Sequence, residues 1–324
     1  MVSYFWFLIL LLFGLNSWPT TAAPIVLPCW DCPPRKVPVC PPPDPKVNYR
    51  PIIGILSHPG DGASGRLNNA TNASYIAASY VKFVESGGAR VIPLIYNEPP
   101  EILHRKLKLV NGVLLPGGST KRGVHFEIVE SIFKNVLAKN DAGDPFPLLA
   151  ICLGFELLAI IVAKDRSILE EFNSKDDPSP LHFKKHSKID GTVSATFAKE
   201  ADCRLSCDGT SSSRYITRKF RNNKNLKSFF KILTTSTCKD NKTYVSTVQA
   251  RRYPMTAFQW HPEKNAFEWG LPKIPHSEDA VQVTQNVANF LVREARKSMN
   301  RPSSVDVLDN LIYKYKPTYC GKAG

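Results

Sequence analysis

The sequence predicts an α/β protein: a doubly wound, mostly parallel sheet with helices on both faces. Two observations carry the prediction. Short β-branched apolar runs alternate with segments whose apolar residues recur at helical spacing, and the junctions carry glycine, proline or asparagine. Strands separated by helices of this length need right-handed crossovers, and a sheet covered on both sides buries strands that are apolar along their whole length. In chain order, "PIIGIL" (51–56) is the first strand, and "SYIAASYVKFVESGG" (74–88) a helix that stops at Gly87-Gly88. "ARVIPLI" (89–95) is the second strand, Glu101 to Leu109 a helix, and "NGVLLPGG" (111–118) a third strand ending in a turn. Val124, Ile128, Val129, Ile132, Phe133, Val136 and Leu137 share one face of the next helix, and "PLLAI" (147–151) is the fourth strand, with a helix after it. Beyond Lys164 the pattern weakens into a polar, lysine-rich stretch to about Lys227. "TYVSTVQA" (243–250) and "MTAFQW" (255–260) then read as strands, and "SEDAVQVTQNVANFLVREAR" (277–296) as a closing helix.

Four regions follow. Residues 1–23 contain no acid, an apolar core from Phe5 to Leu15, and small residues at Ala22 and Ala23, as a cleaved secretory signal requires. The apolar run is shorter than the roughly 20 residues that span a bilayer, so no stable membrane span is expected after cleavage. Residues 24–47 form a leader rich in proline and cysteine, "PCWDCPPRKVPVCPPPDP", residues 48–300 the α/β domain, and residues 301–324 a basic tail expected to trail over the surface. Sequons at Asn69, Asn72 and Asn241 agree with a glycoprotein of the secretory pathway, placed in the vacuole or the extracellular space.

Composition narrows the function. The net charge of +14 comes from scattered basic residues such as Lys121-Arg122 and Lys184-Lys185, with no aromatic-interleaved basic motif, so nucleic acid is not an expected partner. Cys29 and Cys32 lack a second paired motif, which argues against a metal site. All 8 cysteines lie beyond the signal, and an even count in an oxidising compartment admits a reading in which Cys152 is half of a disulfide.

Against that reading stands the position of Cys152, at the junction of the fourth strand and its helix, beyond the carboxyl end of a parallel sheet where ligands bind. Ala150 and Gly154 give the small residues such a crowded turn needs, and a helix amino end favours a thiolate. His261 closes an apolar strand as a candidate base. Glu263, two residues on, points to the same side of an extended segment and can hold the imidazole tautomer, the logic of a catalytic triad. Gly117-Gly118 ends the third strand at the same sheet edge, where backbone N–H groups, joined by that of Leu153, can face an oxyanion. On its own a Gly-Gly pair is equally a plain tight turn.

"AICLGFE", "SYIAASYVKFVESGGARV", "FQWHPEK" and "FEWG" together resemble the γ-glutamyl hydrolases, in their plant-type form, within the class I glutamine amidotransferase-like superfamily of flavodoxin-like sheets. The likeness covers residues 48–165 and 229–300. Amidotransferases usually carry Gly where this chain has Ala150 and Gln where it has Glu156, and no synthetase domain is expected. The resemblance implies cleavage of γ-glutamyl bonds in folate polyglutamates through a thioester on Cys152, with His261 as base and Glu263 completing the triad. It implies an oxyanion hole of Gly118 and Leu153 N–H groups, substrate contacts from Tyr75, Gly117 and Glu156, no metal or other cofactor, and a homodimer. One departure stands out. Family members carry an Asn-His-x-x-Gly pattern before the segment matching "SFFKILTTST", whereas "CRLSCDGTSSSRYITRKF" (203–220) has no histidine. A catalytically impaired relative that binds γ-glutamyl ligands or a partner protein is the competing expectation.

Overall fold

A computed structural model of the chain describes residues 43–60, 73–171, 178–183, 191–196, 204–205, 213–214 and 217–318. The signal and nearly all of the leader, Asn69, Asn72, and most of the divergent 203–220 segment lie outside the described residues.

Eight strands form the main sheet: β1 (Ile52–Leu56), β2 (Arg90–Leu94), β3 (Gly112–Leu115), β4 (Leu148–Ile151), β5 (His182–Phe183), β6 (Phe230–Thr237), β7 (Thr243–Ala250) and β8 (Met255–Phe258), in the order β2-β1-β3-β4-β8-β7-β6-β5. The first five in that order run parallel, with Ile53 opposite Val91 and Gly112, and Ala150 opposite Leu115 and Ala257. The other three extend the sheet antiparallel. The chain leaves β1 towards β2 on one side and returns to β3 on the other. The carboxyl ends of β1 and β3 therefore flank a topological switch point, the crevice where open α/β sheets take ligands.

Both faces of the sheet are covered, and alternate residues of each central strand serve different faces. Ile52, Leu56, Val113, Leu115, Leu148 and Ala150 pack with α2 (Pro100–Leu107), α3 (Gly123–Asp141) and α4 (Leu153–Ala163) through Leu103, Val129, Ile132, Val136 and Leu157. Ile53, Ile55, Leu114, Leu149 and Ile151 pack with α1 (Ala78–Ser86) and α5 (Glu278–Ala295) through Phe83, Val84, Val283, Val287 and Leu291. That double burial is why these strands read as continuous apolar runs, and the doubly wound fold expected from them is the one observed.

Three details differ from expectation. Val124 is exposed and His125 takes its place, because the buried stripe of α3 runs through His125, Val129, Ile132, Phe133 and Val136, about 100° around the helix from Val124. β6 escapes the apolar pattern because it buries hydroxyls: Thr234 donates to Thr247 Oγ1 at 2.8 Å, and Ser246 to Ser236 Oγ at 2.5 Å. Residues 304–310, expected to trail over the surface, form helix α6 (Ser304–Asn310), capped by the Ser303 hydroxyl accepting from Asp306 N–H. Val307 and Leu311, four residues apart on one face, are buried in the α2–α4 side of the core.

Candidate active site

β4 delivers the chain directly into Cys152, whose φ of 51° and ψ of −106° lie where L-residues are strained. A non-glycine residue held there costs on the order of 1–3 kcal/mol and persists only where its surroundings over-determine it. They do so here. Cys152 N–H donates to Phe258 O at 2.7 Å, its carbonyl accepts from Glu156 N–H at 3.0 Å, and Gly154 N–H donates to Pro116 O at 3.2 Å. Position 154 has no room for a side chain, since a Cβ would sit 2.6 Å from Leu115 O. The strand–turn–helix elbow that carries Cys152 is thus packed into shape against β3. Cys152 is a free thiol, 7% exposed, so it is not half of a disulfide. Cys238 is a second free thiol, and the other six cysteines lie outside the described residues.

His261 follows β8, the strand beside β4. Its Nδ1 lies 2.6 Å from Glu263 Oε1, and both side chains are buried, Glu263 completely. The neighbouring loop is held by Thr284, whose hydroxyl donates to Pro262 O at 2.6 Å. The ring and the Cys152 side chain both border Gly117, where a Cβ would lie 2.7 Å from His261 Cε1 and 3.4 Å from Cys152 Cβ. Burial alone pushes the His261 pKa down. The Glu263 carboxylate and the Cys152 thiolate outweigh it and hold the imidazole well above its usual range. The expected Cys152, His261 and Glu263 come together, with the imidazole orientated by the buried carboxylate.

Tyr80, on the buried face of α1, belongs to the same cluster and was not anticipated. Its hydroxyl accepts from Gly117 N–H at 2.8 Å and lies 3.5 Å from His261 Nδ1. Burial first, then the negative charges of Glu263, Glu268 and Cys152, raise its pKa well above the usual phenol range, so it stays a neutral hydroxyl. A buried tyrosine needs a partner for its hydroxyl, and that is the one signal that could have singled it out of an apolar helix face.

Gly117 sits inside this cluster. A Cβ there would lie 2.7 Å from His261 Cε1, 2.8 Å from Tyr80 Oη and 3.4 Å from Cys152 Cβ. Gly117→Ala is therefore expected to displace the imidazole from the thiol and lower kcat/KM about 100-fold, since misplacements of an ångström cost that much. Steady-state kinetics beside a melting curve separates this from unfolding; activity within threefold of the parent would contradict the crowding.

Gly118 is exposed, and neither its N–H nor that of Leu153 donates to any group among the described residues. The two lie on adjacent strand ends, linked by the Gly154 to Pro116 bond. Glu156, 2% exposed, lies in the first turn of α4; its carboxylate meets Lys121 Nζ at 3.0 Å and accepts from Gln259 Nε2 at 3.2 Å. Gln259 Nε2 is in turn 4.0 Å from Cys152 Sγ, so Glu156 reaches the thiol through an amide that sequence reading did not single out. Tyr75 stands edge-on to His58 with centroids 5.7 Å apart. Asn241 is exposed at the β6–β7 turn with φ 55°. Among the described residues no cluster of three or more His, Cys, Asp or Glu side chains could hold a metal, and no helix is long and apolar enough to cross a membrane.

The model of the peptidase C26 family matches residues 51–263, from just before β1 to Glu263. The chain belongs to the peptidase C26 family. Its similarity to curated proteins runs nearly end to end: γ-glutamyl hydrolase 2 of Arabidopsis thaliana is 56% identical over 333 residues, covering 100% of this chain and 95% of the relative. γ-Glutamyl hydrolase 1 of the same plant is 60% identical over 291 residues, covering 89% and 84%. The γ-glutamyl hydrolase of Mus musculus is 37% identical over 282 residues, covering 84% and 86%. The resemblance carried by the four short motifs therefore extends over this peptidase C26 protein as a whole.

Proposed function

We propose that the protein is a cysteine-type γ-glutamyl hydrolase that shortens the glutamate chain of folate polyglutamates. The observation that carries this is a reduced thiol in a strained elbow at the carboxyl edge of the sheet, beside an imidazole whose Nδ1 meets a buried carboxylate at 2.6 Å. The thiolate attacks the γ-amide carbonyl. The oxyanion is met by the N–H groups of Gly118 and Leu153, and His261 gives its proton to the departing amine. Water, deprotonated by the same imidazole, then cleaves the thioester and restores the thiol. No step requires a metal or an organic cofactor.

A net charge of +14 suits a polyanionic substrate by long-range attraction. The secretory signal and the exposed Asn241 sequon support a glycoprotein of the vacuole or extracellular space, and the family resemblance brings a homodimer with it. The competing reading, an impaired relative that binds γ-glutamyl ligands or a partner protein, leaves the strained and completely furnished elbow without a purpose. Incubation of the mature protein with pteroyl-pentaglutamate is expected to yield shorter pteroyl-glutamates, and prior alkylation with iodoacetamide to stop it. An unaltered pentaglutamate, with Cys152 shown by mass to be reduced, would refute the proposal.

A further inference from the structure

His58 stands two residues beyond β1, on the opposite side of the switch point from the thiol, and is 1% exposed. Its Nδ1 lies 2.7 Å from Pro59 O, and a carbonyl can only accept, so Nδ1 carries the proton. Its Nε2 receives two backbone donors, Ser119 N–H at 3.1 Å and Thr120 N–H at 3.3 Å. These partners fix a neutral imidazole with its lone pair turned to the loop after β3; a proton on Nε2 would face two N–H groups. The ring is wedged from other sides as well. Tyr75 and His125 meet it edge-on at 5.7 and 5.2 Å, and burial holds His125 itself neutral, its pKa lowered to about 4. At position 118 a Cβ would lie 2.3 Å from the ring, so the loop backbone rides directly on the imidazole.

The hydrogen bonds of residues 117–120 show what this achieves. Gly117 N–H is held by Tyr80, and Ser119 and Thr120 N–H by His58, which leaves Gly118 as the one N–H of the four with no acceptor among the described residues. The loop is pinned on both sides of that group, and the residue that pins its far side is no member of the triad.

We propose that His58 is a positioning residue for the hydrolytic step: it clamps Ser119 and Thr120 so that the Gly118 N–H stands ready for the oxyanion. The role rests on the hydrolase reading above and deepens it. A donor aimed before the reaction costs no reorganisation during it, which is where an oxyanion hole gains its effect. A buried histidine that merely satisfies local polar groups would stabilise the fold alike in every state. A clamp on the oxyanion donor acts when negative charge develops on the substrate oxygen.

His58→Leu removes the acceptor at similar bulk, whereas His58→Gln can return a carbonyl oxygen to the Nε2 position. H58L is expected to lower kcat on pteroyl-pentaglutamate about 10-fold, less than the 10²–10³ of deleting an oxyanion donor outright. KM and the rate at which iodoacetamide alkylates Cys152 should stay within twofold of wild type, because alkyl transfer develops no oxyanion. H58Q should recover kcat to within about threefold. If H58L does not fold, His58→Asn serves in its place: its amide reaches the Nδ1 position and not Nε2, and the same loss is expected. Unchanged kcat in H58L overturns the role. So does a parallel loss of kcat and alkylation rate that H58Q shares, which marks a residue of the fold alone. A wild-type protein that is alkylated normally yet turns nothing over overturns the hydrolase reading, and the role of His58 with it.

Discussion

Cys152→Ala is expected to lower turnover of pteroyl-pentaglutamate by about 10⁴-fold or more while substrate binding and the melting temperature change little. The nucleophile of a triad cannot be replaced by its neighbours: with it gone, base and orienting acid have nothing to activate, and only binding and the oxyanion donors remain. The cost to the fold is small because the change removes one sulfur from a site already 7% exposed, while the backbone bonds that enforce the elbow, Cys152 N–H to Phe258 O and Glu156 N–H to Cys152 O, survive it. The variant also removes the thiolate that helps to raise the His261 pKa, leaving Glu263 as the main opposing charge to burial. Product chain length by chromatography, together with equilibrium binding of the intact pentaglutamate, measures both halves of the expectation. Activity within tenfold of wild type would mean that another group attacks the γ-amide.

How much of this site the sequence discloses depends on how each residue acquires its role. Cys152, Gly154, His261 and Glu263 are legible because their chemistry is local: a thiol at a strand-to-helix junction, small residues beside it, and two side chains at i and i+2 on one extended segment. Tyr80, His58 and Gln259 acquire theirs from partners 37, 61 and 103 residues away, Gly117, Ser119 and Glu156, so a linear pattern does not connect them to the site. The same distinction holds for the fold. The parallel core strands announce themselves by continuous apolar runs, whereas β6 depends on hydroxyl pairs across to β7, and α6 on Val307 and Leu311, which are buried while its other aliphatic residues, Val305 and Leu308, are exposed. The cysteine count could not decide the state of Cys152, because an even number permits bridges and free thiols alike. Crowding did: the thiol is buried against His261, Gly117 and Gln259, none of them a cysteine.

Glu263→Gln tests the electrostatic half of the mechanism, with an expected fall in kcat of about 10³-fold. The change is isosteric, so the loss reports charge and hydrogen bonding. Glu263 Oε1 accepts the His261 Nδ1 proton at 2.6 Å, and Oε2 is buried with no hydrogen-bond partner among the described residues. A glutamine that keeps its oxygen towards the ring must bury its NH₂ where Oε2 was, which costs on the order of 1–3 kcal/mol. Turned the other way, it forces the ring into the wrong tautomer. In either pose the carboxylate charge is gone, burial gains on the remaining thiolate, and the imidazole pKa falls. The alkaline limb of the kcat/KM profile should therefore move to lower pH. Stability follows the same linkage. In the wild type the folded-state pKa of His261 stands above the unfolded value of about 6.5, so its contribution is complete below that pH and is lost as pH rises through the folded pKa. The difference in melting temperature between wild type and E263Q should be largest near pH 6 and narrow in alkaline solution to the part caused by the buried amide. A difference that widens with pH, or an alkaline limb that stays in place, would show that the carboxylate does not set the charge on the base.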